Sequence, residues 1–195
     1  MIEEIKETAL ENKVPIIKDE GLEFILNFIK EKNVKDILEL GTAVGYSSIN
    51  MAKIAKDIRI DTIEKNEEMY KQAIKNIALE HLEDQIFDHF SPIEEFKTEK
   101  QYDLIFVDAA KAQYKKYTEQ FLDNLKPEGY LIYDNMVFHQ LIYDIDNIKS
   151  RNTRSLVKKI LNFRETMRND ERFDIIFYDS IGDGLLVVTR RLNGR

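Results

Sequence analysis

Short apolar runs alternate along this chain with longer segments in which apolar residues recur at helical spacing. DILEL (Asp36–Leu40), IRIDTIE (58–64), QIFDHF (85–90), YDLIFVD (102–108) and YLIYD (130–134) read as strands, and FDIIFYDS (173–180) and GLLVVTRR (184–191) add two more. Between the first five lie amphipathic segments, the clearest over 67–82, where Met69, Ala73, Ile74, Ile77 and Ala78 recur at helical spacing. Strand and helix in alternation predict a parallel sheet joined by crossover helices. The last two runs are separated only by Ile-Gly-Asp-Gly, too short for a crossover, so an antiparallel hairpin is expected there. The expectation is therefore an α/β fold: a doubly wound, mostly parallel, seven-stranded sheet with an antiparallel C-terminal hairpin. It forms a single domain over 1–195 that opens with a helical region over 1–30.

Composition narrows the function without naming it. With 43% hydrophobic and 33% charged residues the chain reads as soluble and globular. No apolar run approaches the ~18–20 residues that a membrane span needs. The N-terminal MIEEIKETALENK is acidic and amphipathic, unlike a secretory signal, so a cytoplasmic location is expected. There are no cysteines, which excludes disulfides, thiolate metal sites and a cysteine nucleophile, and leaves oxygen or imidazole for any metal. His81, His89 and His139 lack metal-ligand spacing, although His139 falls where a substrate entrance would lie. The net charge of −7 argues against broad attraction to polyanions. Locally the balance reverses: Lys149, Arg151, Arg154, Lys158, Lys159, Arg164 and Arg168 face a single acid, Glu165. Such a run is either a solvated helix flank or a phosphate-binding face.

In open α/β sheets ligands bind beyond the carboxyl ends of the strands, which directs attention to Glu39, Glu64, Ser91, Asp108 and Asp134. The first strand is followed by GTAVGYSS (41–48), whose glycines permit close backbone approach and whose helix-start amides offer donors. Its G-x-x-x-G spacing differs from dinucleotide and phosphate loops, so a phosphate-free nucleoside fits better and a nicotinamide oxidoreductase is disfavoured. Glu64 ends the next strand, where α/β nucleoside sites place an acid on the ribose hydroxyls. Asp108 ends one later strand and Asp134, with Asn135, ends another. Two carboxylates and an amide oxygen suit a hard cation; magnesium takes roughly six oxygens, which leaves positions for a substrate with two adjacent oxygens. Lys111 stands ready to stabilise an oxyanion or accept its proton. Each feature alone also has a plain structural use, as a turn or a helix cap, but their concurrence in one sheet favours a site. Tyr114, Tyr117, Tyr133 and Phe138 are available either to stack on a base or to fill the core.

ILELGTAVGYSS together with TIE resembles the S-adenosylmethionine loop and ribose acid of class I methyltransferases. VPII (14–17), FVDAAKAQY (106–114), YDNMVF (133–138) and IGDGLLVV (181–188) resemble the cation-dependent O-methyltransferases related to catechol and caffeoyl-CoA methyltransferases, with the likeness running over 14–191. DAAKAQY and RSLVKKI (154–160) are most similar to bacterial enzymes that methylate 5-hydroxyuridine at the tRNA wobble position. The resemblance implies a Rossmann-like methyltransferase fold, with S-adenosylmethionine held by Glu39, Gly41, Gly45, Ser47, Glu64, Ser91, Pro92 and Asp108. It implies Mg2+ on Asp108, Asp134 and Asn135, with Lys111 and Asp108 at the reacting oxygen, and a homodimer. The implied acceptor is a tRNA anticodon loop, its phosphates held by Arg151, Arg154, Lys158 and Lys159 with help from Lys115 and Lys116. A small catechol-like or caffeoyl-CoA-like acceptor offers the same pair of oxygens and is the alternative. A noncatalytic nucleoside- or RNA-binding module is the alternative of another class, and the joint presence of Asp108, Lys111, Asp134 and Asn135 argues against it. Three departures stand out: the family's Gly-Asp-Ala after the third strand reads FSPIEEF, the usual glycine of DAAKGQY is Ala112, and the N-terminal helical region is short.

Overall fold

The computed structural model describes residues 2–191. In chain order the elements are α1 (Ile2–Glu11), α2 (Asp19–Glu31), β1 (Asp36–Leu40), α3 (Tyr46–Ala52), β2 (Arg59–Glu64), α4 (Glu67–Leu79), β3 (Ile86–Phe90), β4 (Tyr102–Val107), α5 (Tyr114–Phe121), β5 (Leu125–Tyr133), α6 (Arg151–Arg168), β6 (Phe173–Tyr178) and β7 (Leu185–Arg190). One sheet takes in all seven strands in the order β3-β2-β1-β4-β5-β7-β6. The first five run parallel and β7 lies antiparallel between β5 and β6. The expected hairpin is present, and its second strand is the one inserted into the sheet.

The apolar runs are dense because both sheet faces are covered. Alternate residues of one strand enter opposite cores. Ile37, Ile60, Leu104 and Phe106 pack with α1 to α4, while Leu38, Ile63, Ile105 and Val107 pack with α5 and α6. Tyr114 and Tyr133 are fully buried in the second core, so they stack on no ligand.

Two elements depart from the periodicity. α4 stops at Leu79 rather than 82, since His81 adopts φ 56 and breaks the helix; Asn66 caps its start by accepting from the amides of Glu68 and Met69, both at 3.0 Å. Within it Ile74 is exposed and only Ala73, Asn76 and Ile77 are buried. β5 begins at Leu125, not Tyr130. Its Pro-Glu-Gly reads as a turn, yet it continues the strand across a register shift opposite Tyr102 and Leu104. Among the described residues no helix is long and apolar enough to cross a membrane.

Candidate active site

The parallel ladder itself brings the strand-end residues together. The Asp108 amide donates to Leu40 O at 3.0 Å and the Asp134 amide to Val107 O at 3.2 Å, so the ends of β1, β4 and β5 lie side by side. Gly41 turns away from β1 with φ 107, and a Cβ there would stand 2.3 Å from Asp108 O; only glycine fits. Gly45 at φ 82 then opens α3.

A cavity of about 320 Å³ lies over this junction. One end is walled by Gly41, Thr42, Ala43, Ser47 and Glu64, the other by Asp108, Lys111 and Asn135, and Val14 to Ile17 form a side. Both Glu64 oxygens are fixed by main-chain donors, Oε2 by the Ala43 amide at 2.9 Å and Oε1 by the Asn66 amide at 2.7 Å. A carboxylate oxygen accepts more than one bond, so each retains capacity for a ligand hydroxyl.

Glu39 lies beneath the loop rather than in the cavity wall. It accepts from Ser47 Oγ at 2.5 Å, from Thr62 Oγ1 at 2.6 Å and from Ser48 Oγ, and burial pushes its carboxyl up to about 7 despite these donors. It therefore holds the loop from below instead of reaching a ligand. Gly45, Ser91 and Pro92 are also outside the wall; where the FSPIEEF segment meets the cavity it presents Ile93 and Glu94.

At the other end the charges are poorly compensated. Asp134 is 2% exposed and its Oδ1 accepts from the Asn135 amide at 2.6 Å. Burial, and then the neighbouring Asp108, push its carboxyl up to about 8. Burial also raises Asp108, with Lys111 opposing the shift. Two buried carboxylates so placed either retain protons or share a cation. Among the described residues no group of three or more His, Asp or Glu side chains is arranged to hold a metal. A cation here would rest on Asp108, Asp134 and the Asn135 amide oxygen, a donor set that fits Mg2+ completed by water and substrate. Lys111 sits in the wall with Nζ 5.7 Å from the Phe138 ring centroid.

Asp183 lies in the expected hairpin turn between β6 and β7 and, from outside the cavity wall, braces the site. It is 4% exposed, its Oδ1 accepts from the His139 amide at 2.6 Å and from Lys18 Nζ at 3.3 Å, and its backbone carbonyl accepts from the Val137 amide at 2.9 Å. It thus ties the loop after Asn135 to the segment that walls the cavity. Both Asp108 and Asp134 feel its charge. The glycines beside it were the available signal: a Cβ on Gly184 would sit 2.8 Å from the Val137 amide nitrogen and one on Gly182 3.1 Å from that of Gly21. Tyr117 was the other mixed case, buried in the core yet touching the cavity.

The basic run divides. α6 packs against the turn that carries Lys111, and Arg151, Lys158 and Lys159 are exposed on it. Arg154 spends its guanidinium on Ile148 O, at 3.1 Å from Nε and 2.5 Å from Nη2. Arg164 is not part of a surface: it is 3% exposed, forks onto Asp179 at 2.8 and 2.7 Å, and lies 4.0 Å from the Phe177 ring. His139 exposes its ring, and His89 pairs with Asp61 at 2.8 Å, away from the site.

A family model described as O-methyltransferase matches residues 1–191. The chain belongs to that family. The caffeoyl-CoA O-methyltransferase of Populus kitakamiensis is 32% identical over 91% of this chain and 77% of its own length, and that of Medicago sativa is 30% identical over 88% and 73%. A Staphylococcus aureus crystal structure, provisionally assigned as a caffeoyl-CoA O-methyltransferase, superposes with a TM-score of 0.93 at 40% identity, covering 97% of this chain and 91% of that one. An O-methyltransferase from Bacillus cereus, crystallised in complex with SAH, shares the fold with a TM-score of 0.81 at 24% identity, over 97% and 90% of the two chains. With its sheet order, this O-methyltransferase is of class I and depends on S-adenosylmethionine.

Proposed function

We propose that this O-methyltransferase, acting with Mg2+, methylates the 5-hydroxyl of wobble 5-hydroxyuridine in tRNA to give 5-methoxyuridine. The observation that carries the reading is one continuous cavity that runs from Glu64 to Asp108, Lys111 and Asn135, with α6, whose basic side chains are exposed, packed against the turn that carries Lys111. Glu64 binds the ribose diol of the donor, while Gly41 and Ser47 line its methionine part. Asp108, Asp134 and Asn135 would hold the cation, which when bound would supply Lewis acidity that favours ionisation of the acceptor's hydroxyl. Lys111 stabilises the oxyanion left when that hydroxyl ionises. The oxygen then forms its bond to the methyl carbon as the S–C bond breaks, the sulfonium becomes a neutral thioether, and the hydroxyl proton leaves to solvent. Orientation of this kind is worth roughly 7–11 kcal/mol at best, and no covalent enzyme intermediate is needed.

Arg151, Lys158 and Lys159 bind anticodon-loop phosphates in this reading, and the unstacked wobble base enters the cavity. The enzyme works as a homodimer in the cytoplasm. A second reading, a caffeoyl-CoA-like acceptor, is favoured by the named curated relatives and uses the same pair of oxygens. The test offers labelled S-adenosylmethionine and Mg2+ with hydroxyuridine-containing tRNA, the free nucleoside, or caffeoyl-CoA. Label in tRNA with little in the ester supports the first reading; the reverse replaces it with the second.

A further inference from the structure

A row of four side-chain oxygens runs under the donor end of the cavity. Glu39 Oε2 lies 2.6 Å from Thr62 Oγ1, Thr62 Oγ1 lies 2.7 Å from Thr42 Oγ1, and Thr42 Oγ1 lies 3.1 Å from Asp88 Oδ1. Three links need three hydrogens, and the two threonines bring two. With both acids ionised, one pair of oxygens would face each other without a proton between them. We infer that Glu39 and Asp88 share a single retained proton, that it resides on Asp88, and that Asp88 is thereby a positioning residue for the donor loop. The inference rests on the reading that this loop holds S-adenosylmethionine.

The surroundings choose the end. Glu39 collects three hydroxyl donors, from Ser47 and Ser48 of α3 and Thr62 of β2, with Asp108 beyond β1 as the opposing charge. Asp88 meets one hydroxyl, that of Thr42, and the backbone amide and field of His89, and it feels the Glu64 carboxylate. Its Oδ2 is buried without a partner, which costs far less for the carbonyl of a neutral acid than for an ionised oxygen. All donors then point one way: Asp88 to Thr42, Thr42 to Thr62, Thr62 to Glu39. Burial pushes both carboxyls up to about 7, in keeping with one proton held between them near neutrality. Thr42 belongs to the cavity wall, so loss of that proton loosens the wall.

Two measurements test this. In the ligand-free protein, carboxyl 13C NMR of the wild type, Asp88→Asn and Glu39→Gln should find one acid protonated at about pH 6, below the value of about 7, and assign it to Asp88; two ionised acids at that pH would overturn the proposal whether or not the donor binds. Calorimetric donor affinity should weaken by up to about tenfold per pH unit above about pH 7. Asp88→Asn, whose amide donates to Thr42 as the acid does, should keep near wild-type affinity and flatten that slope, whereas Asp88→Ala should bind weakly throughout. An unchanged slope in Asp88→Asn would overturn the proposal. A wild type that never binds the donor, with the NMR result as expected, would reject the loop assignment and leave the proton count standing.

Discussion

The two ends of the cavity handle buried charge in opposite ways. At the donor end the protein supplies most donors itself: Glu64 has a main-chain donor on each oxygen and Glu39 has three hydroxyls, and among the described residues there only Asp88 Oδ2 is buried without a partner. At the acceptor end burial pushes Asp108 and Asp134 toward the protonated state, the charge of Asp108 adds to the shift of Asp134, and Asp183, which opposes the ionisation of both, keeps a buried oxygen without a hydrogen-bond partner. A self-contained network suits a rigid cradle for an invariant ligand. An under-compensated cluster suits components that arrive together, a cation and an ionising acceptor, because leaving charges unpaired costs stability unless binding offsets it. The contrast predicts that damage to the acceptor rim abolishes chemistry and spares donor binding, while damage to the donor cradle does the reverse.

The sharpest break is Asp134→Ala. Lewis-acid assistance is worth several kcal/mol, so methyl transfer should fall on the order of 10³-fold or more, while donor affinity by calorimetry stays within about threefold. Mg2+ should raise the melting temperature of the wild type and not of the variant. Unchanged turnover would remove the metal assignment. Next comes Lys111→Ala, expected to lower kcat by roughly 10²-fold with little change in donor Kd, as for loss of one charge-stabilising group. Lys111→Arg separates positioned charge from proton uptake, since a guanidinium does not give up its proton.

A smaller effect tests the acceptor. Replacing Arg151, Lys158 and Lys159 together by Ala should weaken tRNA binding and reduce its logarithmic salt slope by about 2. Kinetics on the free nucleoside should be unaffected, and equal losses on both would point to a role in folding rather than in phosphate binding. Arg164 is the control. Its replacement should lower the melting temperature, because Asp179 loses its guanidinium fork and keeps only the Tyr143 hydroxyl, and Phe177 loses one of the two guanidinium groups over its ring.

How much was legible beforehand follows the same divide between local and distant causes. β1, β2 and β4 were readable to within about a residue because strands covered on both faces write themselves as apolar runs. Strand-end acids were readable as a group because topology alone sends them to one rim. The insertion of β7 between β5 and β6 was not, since pairing between distant segments has no local signature. Arg164 looked like its solvated neighbours because its partner Asp179 lies on the far side of β6, and Asp88 and Asp183 matter only through loops that the chain brings back from elsewhere.

The faintest expected effect separates the two ends by pH. Asp88 has a folded-state value of about 7 against about 4 for an unperturbed aspartate. The folded state then binds the extra proton between these values, so its contribution to stability is greatest below about pH 4, declines as pH rises toward about 7, and is level above. After discounting for partial solvent access the change should be on the order of 1–2 kcal/mol, or roughly 2–8 °C in Tm. The rim acids shift in the same direction and would mask it, so melting should be followed in saturating Mg2+, which on the proposed reading would hold Asp108 and Asp134 ionised. A decline that persists there and is lost in Asp88→Asn belongs to the donor end. A decline that Mg2+ abolishes in the wild type belongs to the rim, and the cradle would then be free of stored charge.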